Sequence, residues 1–166
     1  MNTVVTIQSC AIESPCKNHR FYLERKWSRV GVFGIFICQN PSIADHLTID
    51  PTVMNCNNLA VRWGWKGFGI LNLFTRKNGA TGPENLPESD DHFDRLLKTA
   101  DIIVAAWGDE FESDERTAEI IRKLPGEIFC IDINESGNPR HPARIDVAAY
   151  PNPKPFPPQK AKRPNV

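Results

Sequence analysis

Val32-Phe33-Gly34-Ile35-Phe36-Ile37-Cys38, followed at once by Gln39-Asn40-Pro41-Ser42, is the stretch on which the fold turns. A run with no charge and no polar alternation predicts a strand buried on both faces, the pattern of parallel strands covered by helices. The Asn-Pro-Ser that ends it predicts a turn at the strand's carboxyl end. Downstream, Asp50-Pro51-Thr52 supplies a helix start and residues 53–63 predict a helix. Residues 68–73 predict a second buried strand, 102–106 a third and 127–131 a fourth. Between them, Ser89 is read as the N-cap of a helix over 90–99, and Ser113 as the cap of a helix reaching residue 124. Acidic residues follow each cap, as the helix dipole favours.

Strands that alternate with helices pair in parallel through right-handed crossovers. The expected class is therefore α/β, three-layer α/β/α with a central four-stranded, mostly parallel sheet. Upstream, residues 3–10 and 20–26 alternate like an antiparallel β ribbon around Ser14-Pro15-Cys16. Residues 1–150 read as a single domain, with the ribbon in 1–30. Residues 151–166 hold six prolines and no apolar periodicity, and read as a flexible or extended tail.

Composition narrows the partners. A chain that is 40 % hydrophobic and 24 % charged suits a soluble globular protein. No apolar run is long enough for a bilayer and the first residues lack signal-peptide order, so the expectation is a cytoplasmic protein without a membrane partner. Formal net charge is zero, yet residues 151–166 carry Lys154, Lys160, Lys162 and Arg163 and no acid, which leaves −4 on the rest. Nucleic-acid binders usually carry a basic footprint, so charge alone speaks against DNA. The five cysteines include no Cys-x-x-Cys pair; Cys38 and Cys130 fall in apolar strands and read as small hydrophobes. Cys10, Cys16 and His19 match no standard zinc spacing.

Ligands of open parallel sheets bind beyond the carboxyl ends of the strands. The four expected strands end in Gln39-Asn40-Pro41-Ser42, in Asn72-Leu73-Phe74, in Trp107-Gly108-Asp109 and, after a loop, in Pro139-Arg140-His141-Pro142. Each has a plain structural alternative: an ordinary turn for Asn40-Pro41, backbone satisfaction for Asn72, packing for Trp107, solvated loop charges for Arg140 and Arg144. Their common placement favours a cleft.

The pattern Asn-Pro-Ser-x-Ala-Asp, Asp-Pro-Thr, Arg-Trp-Gly, Asn-Leu-Phe, Ala-Ala-Trp-Gly and Pro-Arg-His-Pro resembles a bacterial and phage family known only as a domain of unknown function. More distantly, Cys38-Gln39-Asn40-Pro41-Ser42 resembles the first motif of the uracil-DNA glycosylase superfamily. Gly69-Ile70-Leu71-Asn72 resembles the end of that superfamily's second strand and Ala105-Ala106-Trp107-Gly108 the end of its third. His141-Pro142-Ala143-Arg144-Ile145 resembles its last motif. Cys38 stands where the first motif has glycine, Asn40 where one branch has aspartate, and Arg144 where the last motif has its second proline. The aromatic residue that stacks on the base has no counterpart after Ser42 other than His46.

This resemblance implies a uracil-DNA glycosylase-like fold and cleavage of an N-glycosidic bond in a DNA base or nucleotide. It implies that Asn40 orients the attacking water, that His141 donates to the departing base, and that Asn72 reads the base edge. Gln39, Pro41, Ser42, Phe74, Trp107 and Gly108 would line the substrate, with Ile145 as a wedge. Arg140 and Arg144 could hold phosphates. Asp45 and Asp50 are the nearest carboxylates to the first motif, and either could serve as general base, Asp45 being the one placed in the catalytic set. No cofactor and no metal is implied, and the oligomeric state is left open. The rival is a non-catalytic module that binds a nucleobase, nucleotide or protein on the same scaffold.

Overall fold

The computed structural model describes residues 1–77, 85–109 and 114–156. In chain order the elements are β1 (Gln8–Glu13), β2 (Arg20–Lys26), β3 (Phe33–Cys38), α1 (Pro51–Arg62), β4 (Gly67–Asn72), α2 (Ser89–Leu97), β5 (Ile102–Ala105), α3 (Asp114–Lys123), β6 (Ile128–Cys130) and β7 (Lys154–Phe156). All six residues of β3 are buried, as its sequence requires. It sits centrally, parallel to β4 on one side and to β5 on the other. β5 is in turn parallel to β6.

The class is α/β, but the sheet has seven strands rather than four, in the order β1-β2-β4-β3-β5-β6-β7. The N-terminal ribbon is part of it: β2 pairs antiparallel with β4, Leu23 opposite Ile70. β1 begins at Gln8, later than the expected residue 3. Gln8 pairs with Lys26, the last residue of β2, so the residues before it have no strand to bond to. The proline-rich tail also starts inside the sheet, since β7 pairs antiparallel with β6. An edge strand tolerates Pro155, whose missing N–H removes no essential ladder bond there. Residues 157–166 lie outside the described residues, as does the Ser113 cap.

Two-residue alternation sends the core to both faces of the sheet. Phe33, Ile35, Ile37 and Leu71 pack with Phe93, Leu96 and Leu97 of α2 and Ile120 of α3. Phe36, Phe68, Ile70 and Val104 pack with Val53, Cys56, Leu59 and Ala60 of α1. Fully burying each large apolar side chain contributes about 1.5–3 kcal/mol. On the α1 face the central strand must make room for indoles. A Cβ on Gly34 would collide with the Trp65 ring, and Trp65 in turn lies tilted against Phe36 and edge-on to Trp63, with ring centroids 5.6 and 5.1 Å away.

Helix starts are set by local chemistry. Asp50 caps α1 by accepting from the Val53 N–H at 2.8 Å, with Pro51 in the first turn, where its missing N–H is harmless. Ser89 does not cap α2. It is the first helical residue, buried, with its hydroxyl 3.3 Å from Thr75 Oγ1, and Glu88 before it makes no capping bond. Among the described residues no helix is long and apolar enough to cross a membrane.

Candidate functional site

The chain leaves β3 toward α1 and β4, and leaves β5 the other way, toward α3 and β6. A crevice opens where such paths diverge. On the β4 side the strands stay joined beyond their ends: Leu73 N–H donates to Cys38 O at 2.9 Å and Phe74 N–H to Gln39 O at 3.0 Å. On the β5 side the last link is Ala106 N–H to Ile37 O at 2.9 Å, after which the chains part. A cavity of about 220 Å³ occupies that gap.

Gln39 lines it from the exit of β3, and Trp107, Gly108 and Asp109 line it from the exit of β5. Asn134, Arg140, His141, Ala143 and Arg144 close it from the segment after β6. That segment is folded back on itself. Ile133 bridges Pro139, Asn134 N–H donates to Asn138 O at 2.8 Å, and Arg140 N–H donates to Asp132 O at 2.8 Å. Gly108, with φ of +76°, turns against it, donating its N–H to Pro139 O at 2.9 Å. A Cβ on Gly108 would come within 2.9 Å of His141 Cβ, so glycine serves both the backbone conformation and the contact.

His141 precedes a 3-10 turn, Pro142–Arg144, and its Nδ1 accepts from the Ala143 N–H at 3.2 Å. With Nδ1 accepting, the neutral imidazole carries its proton on Nε2 and offers a donor there. The turn is anchored from α1, where buried Asn55 donates from Nδ2 to Pro142 O at 2.6 Å. The Asp109 carboxylate accepts from Ser136 Oγ at 2.5 Å and from Asn134 Nδ2 at 2.8 Å. Hydrogen bonds, from Ser136 above all, hold its carboxyl below the usual carboxylate range, with the nearby Arg140 charge adding to the effect. Neither Arg140 nor Arg144 forms a salt bridge among the described residues.

Of the residues expected at the site, Gln39, Trp107, Gly108, Arg140, His141 and Arg144 line the cavity. Asn40, half-buried, follows Gln39 but does not itself line it, nor do Pro41 and Ser42. Ser42 donates its hydroxyl to Asp50, which ties the first loop to the cap of α1. Phe74 is buried at the strand junction. Ile145 is not a projecting wedge: it is half-buried against the core cluster on the α1 side. The exposed apolar tips are Ile43, Leu47 and Ile49, in the loop after the first motif.

Asn72 and Asp45 are placed differently from the expectation. Asn72 is buried, with its Oδ1 accepting from Arg20 Nη2 at 3.4 Å, and it does not line the cavity. Arg20 is itself only 2 % exposed and donates from Nη1 to Ala44 O at 2.6 Å. Asp45 does not line the cavity either. Its Oδ1 accepts the N–H groups of Leu47 and Thr48, each at 2.7 Å, and these backbone bonds lower its pKa to about 2. A carboxyl that acidic is a weak base at neutral pH, so Asp45 shapes the loop and is poorly suited to general-base work. Among the described residues no three His, Cys, Asp or Glu side chains gather in a metal-holding group, Cys10, Cys16 and His19 included; His19 Nδ1 lies 3.0 Å from Thr75 Oγ1 instead.

A family model described as Protein of unknown function (DUF1643) matches residues 20–143. The chain belongs to this family. The DUF1643 match runs from Arg20, at the start of β2, to Ala143, in the turn after His141. It therefore contains the parallel strands and all but one of the cavity residues, and leaves out β1 and β7. No curated protein and no solved structure matches the chain.

Sequence reasoning gave no site role to Asp109, Asn134 or Ala143 in this DUF1643 member. Asp109 directly follows Trp107-Gly108 and could have been included on position alone. Asn134 reaches the cavity only because the segment after β6 doubles back through Gly137, whose φ is +87°. The Asn-Glu-Ser-Gly run of residues 134–137 is the signal for that turn.

Proposed function

We propose that the protein is an N-glycosidase acting on a DNA base or a nucleotide, built on a three-layer α/β/α scaffold like that of the uracil-DNA glycosylases. The observation that carries this reading is the meeting of Gln39, Trp107, Gly108 and His141 at one cavity. They come from three separate loops, in the chain order of the motifs they resemble, at the point where the strand connections diverge.

Cleavage requires a water at the glycosidic carbon, relief for an oxocarbenium-like sugar, and a donor for a base that leaves as an anion. In this reading Asn40, which follows Gln39 but does not itself line the cavity, turns in to orient the water and faces its side-chain carbonyl to the developing positive charge. The water oxygen bonds to carbon as the C–N bond breaks, the electron pair of that bond leaves with the base, and the proton the water sheds goes to solvent, from which the base anion is protonated. His141 Nε2–H donates to the base as negative charge grows on it, the kind of aimed donor that is usually a large catalytic contribution. Arg140 and Arg144 hold the phosphate of the substrate.

A second reading, a non-catalytic module that binds a nucleobase or nucleotide, is favoured by one observation: Asn40, the expected water-orienting residue, does not line the cavity. Mass spectrometry of base release separates the two. The substrates are single- and double-stranded DNA with altered bases, and free nucleotides. Release by the wild type that disappears in Asn40→Ala supports the glycosidase. Folded protein that binds a substrate from this panel and releases no base, with binding retained in Asn40→Ala, supports the module.

A further inference from the structure

We infer that the cavity is a phosphomonoester site whose ligand is a free nucleotide, not a base carried in a DNA strand; the inference rests on the reading of this cavity as the substrate site. Two donors in its wall are buried and unanswered. Trp107 is 3 % exposed, and its indole N–H has no hydrogen-bond partner among the described residues. Arg140 Nε is in the same state. Buried donors are almost always satisfied; six side-chain atoms of the described residues are left open, and of these only Trp107 Nε1 and Arg140 Nε belong to residues that line the cavity, where a ligand's acceptors would meet them.

The charge of the wall defines those acceptors. Arg140 and Arg144 bring two guanidinium groups without salt bridges among the described residues, and Gln39 adds an amide. The one carboxylate, Asp109, has both oxygens occupied by Asn134 and Ser136 and belongs to the turn that shapes the wall. A phosphate monoester offers three strong acceptor oxygens and a charge near −2, which matches two arginines and an indole donor.

A DNA strand would need more. Strand binding uses a track of cations along successive phosphates and aromatic faces on which bases stack. Lys77 is paired with Glu13, and Lys154 with Asp132 at 2.7 Å. The loop beside the site presents Ile43, Leu47 and Ile49, and no aromatic side chain is among the large exposed hydrophobics of the described residues. About 220 Å³, below the range common for drug-sized ligands, suits one small molecule.

The test is equilibrium titration by calorimetry with nucleoside 5′-monophosphates, the matching nucleosides, inorganic phosphate and a single-stranded oligonucleotide. A monophosphate is expected to bind at least about tenfold more tightly than its nucleoside, with inorganic phosphate competing, because the charge-assisted bonds belong to the phosphate. Arg144→Gln, at an exposed position that leaves the fold intact, should remove most of that difference, and Arg140→Gln should do the same. Equal binding of nucleotide and nucleoside overturns the inference. So does an oligonucleotide that binds more tightly than any monophosphate with a steep salt dependence. The titration needs no turnover, so the two claims separate. A nucleotide that binds without releasing its base leaves the phosphate site standing and removes the glycosidase. Base release from DNA without nucleotide binding does the reverse.

Discussion

His141→Ala is expected to lower the rate of base release by about 10²–10³-fold, the usual effect of deleting one donor aimed at developing charge. The loss should fall on kcat and leave KM nearly unchanged, because the base becomes an acceptor of consequence only as the C–N bond breaks. The fold should survive. His141 is half-buried on a loop, and the bond the substitution removes from the Ala143 N–H to Nδ1 is worth about 0.5–2 kcal/mol as a cap. A matched rise in KM with kcat preserved would assign His141 to binding. An unchanged rate would remove it from the mechanism.

Phe36→Ala is expected to be the most damaging single change to stability. Phe36 is fully buried in the central strand, and its ring centroid lies 5.8 Å from that of Trp63, 5.6 Å from Trp65 and 6.2 Å from Phe68. Truncating a buried phenylalanine costs about 3–5 kcal/mol, a large share of the roughly 5–15 kcal/mol that holds a domain folded. Urea denaturation should show a lower midpoint with the slope preserved. Val61→Ala, on the exposed face of α1, should change stability by no more than about 0.5 kcal/mol. A loss of under about 1 kcal/mol for Phe36→Ala would mean that the aromatic cluster is loosely packed.

The parallel strands were legible because each is an uninterrupted apolar run, the form a strand takes when helices cover both faces. β2 and its ribbon partner β1 were legible too, but not the pairing of β2 with β4: alternation marks a strand and says nothing of which sheet edge it joins. β7 was hidden by Pro155 and the prolines around it, which describe a tail until Phe156 is seen edge-on against Trp107, with ring centroids 5.7 Å apart. For the site, the rule that ligands gather at strand carboxyl ends located Gln39, Trp107, Gly108 and His141. It could not separate residues facing the cavity from those sealed beneath the loops. Asn72 is sealed because Arg20 reaches Ala44, 24 positions away in sequence, a contact that no local pattern records. Asp45 was read by proximity to the first motif, whereas its carboxylate turns back on its own loop.

The central claim, water attack at the glycosidic carbon of a substrate held between β3 and β5, is tested most directly by turnover in ¹⁸O-labelled water. The account predicts free base without label and one ¹⁸O on the anomeric carbon of the sugar product, with neither formed by His141→Ala above its reduced rate. Label on the base or on phosphate, or no cleavage of any nucleotide or DNA substrate by folded protein, would contradict it.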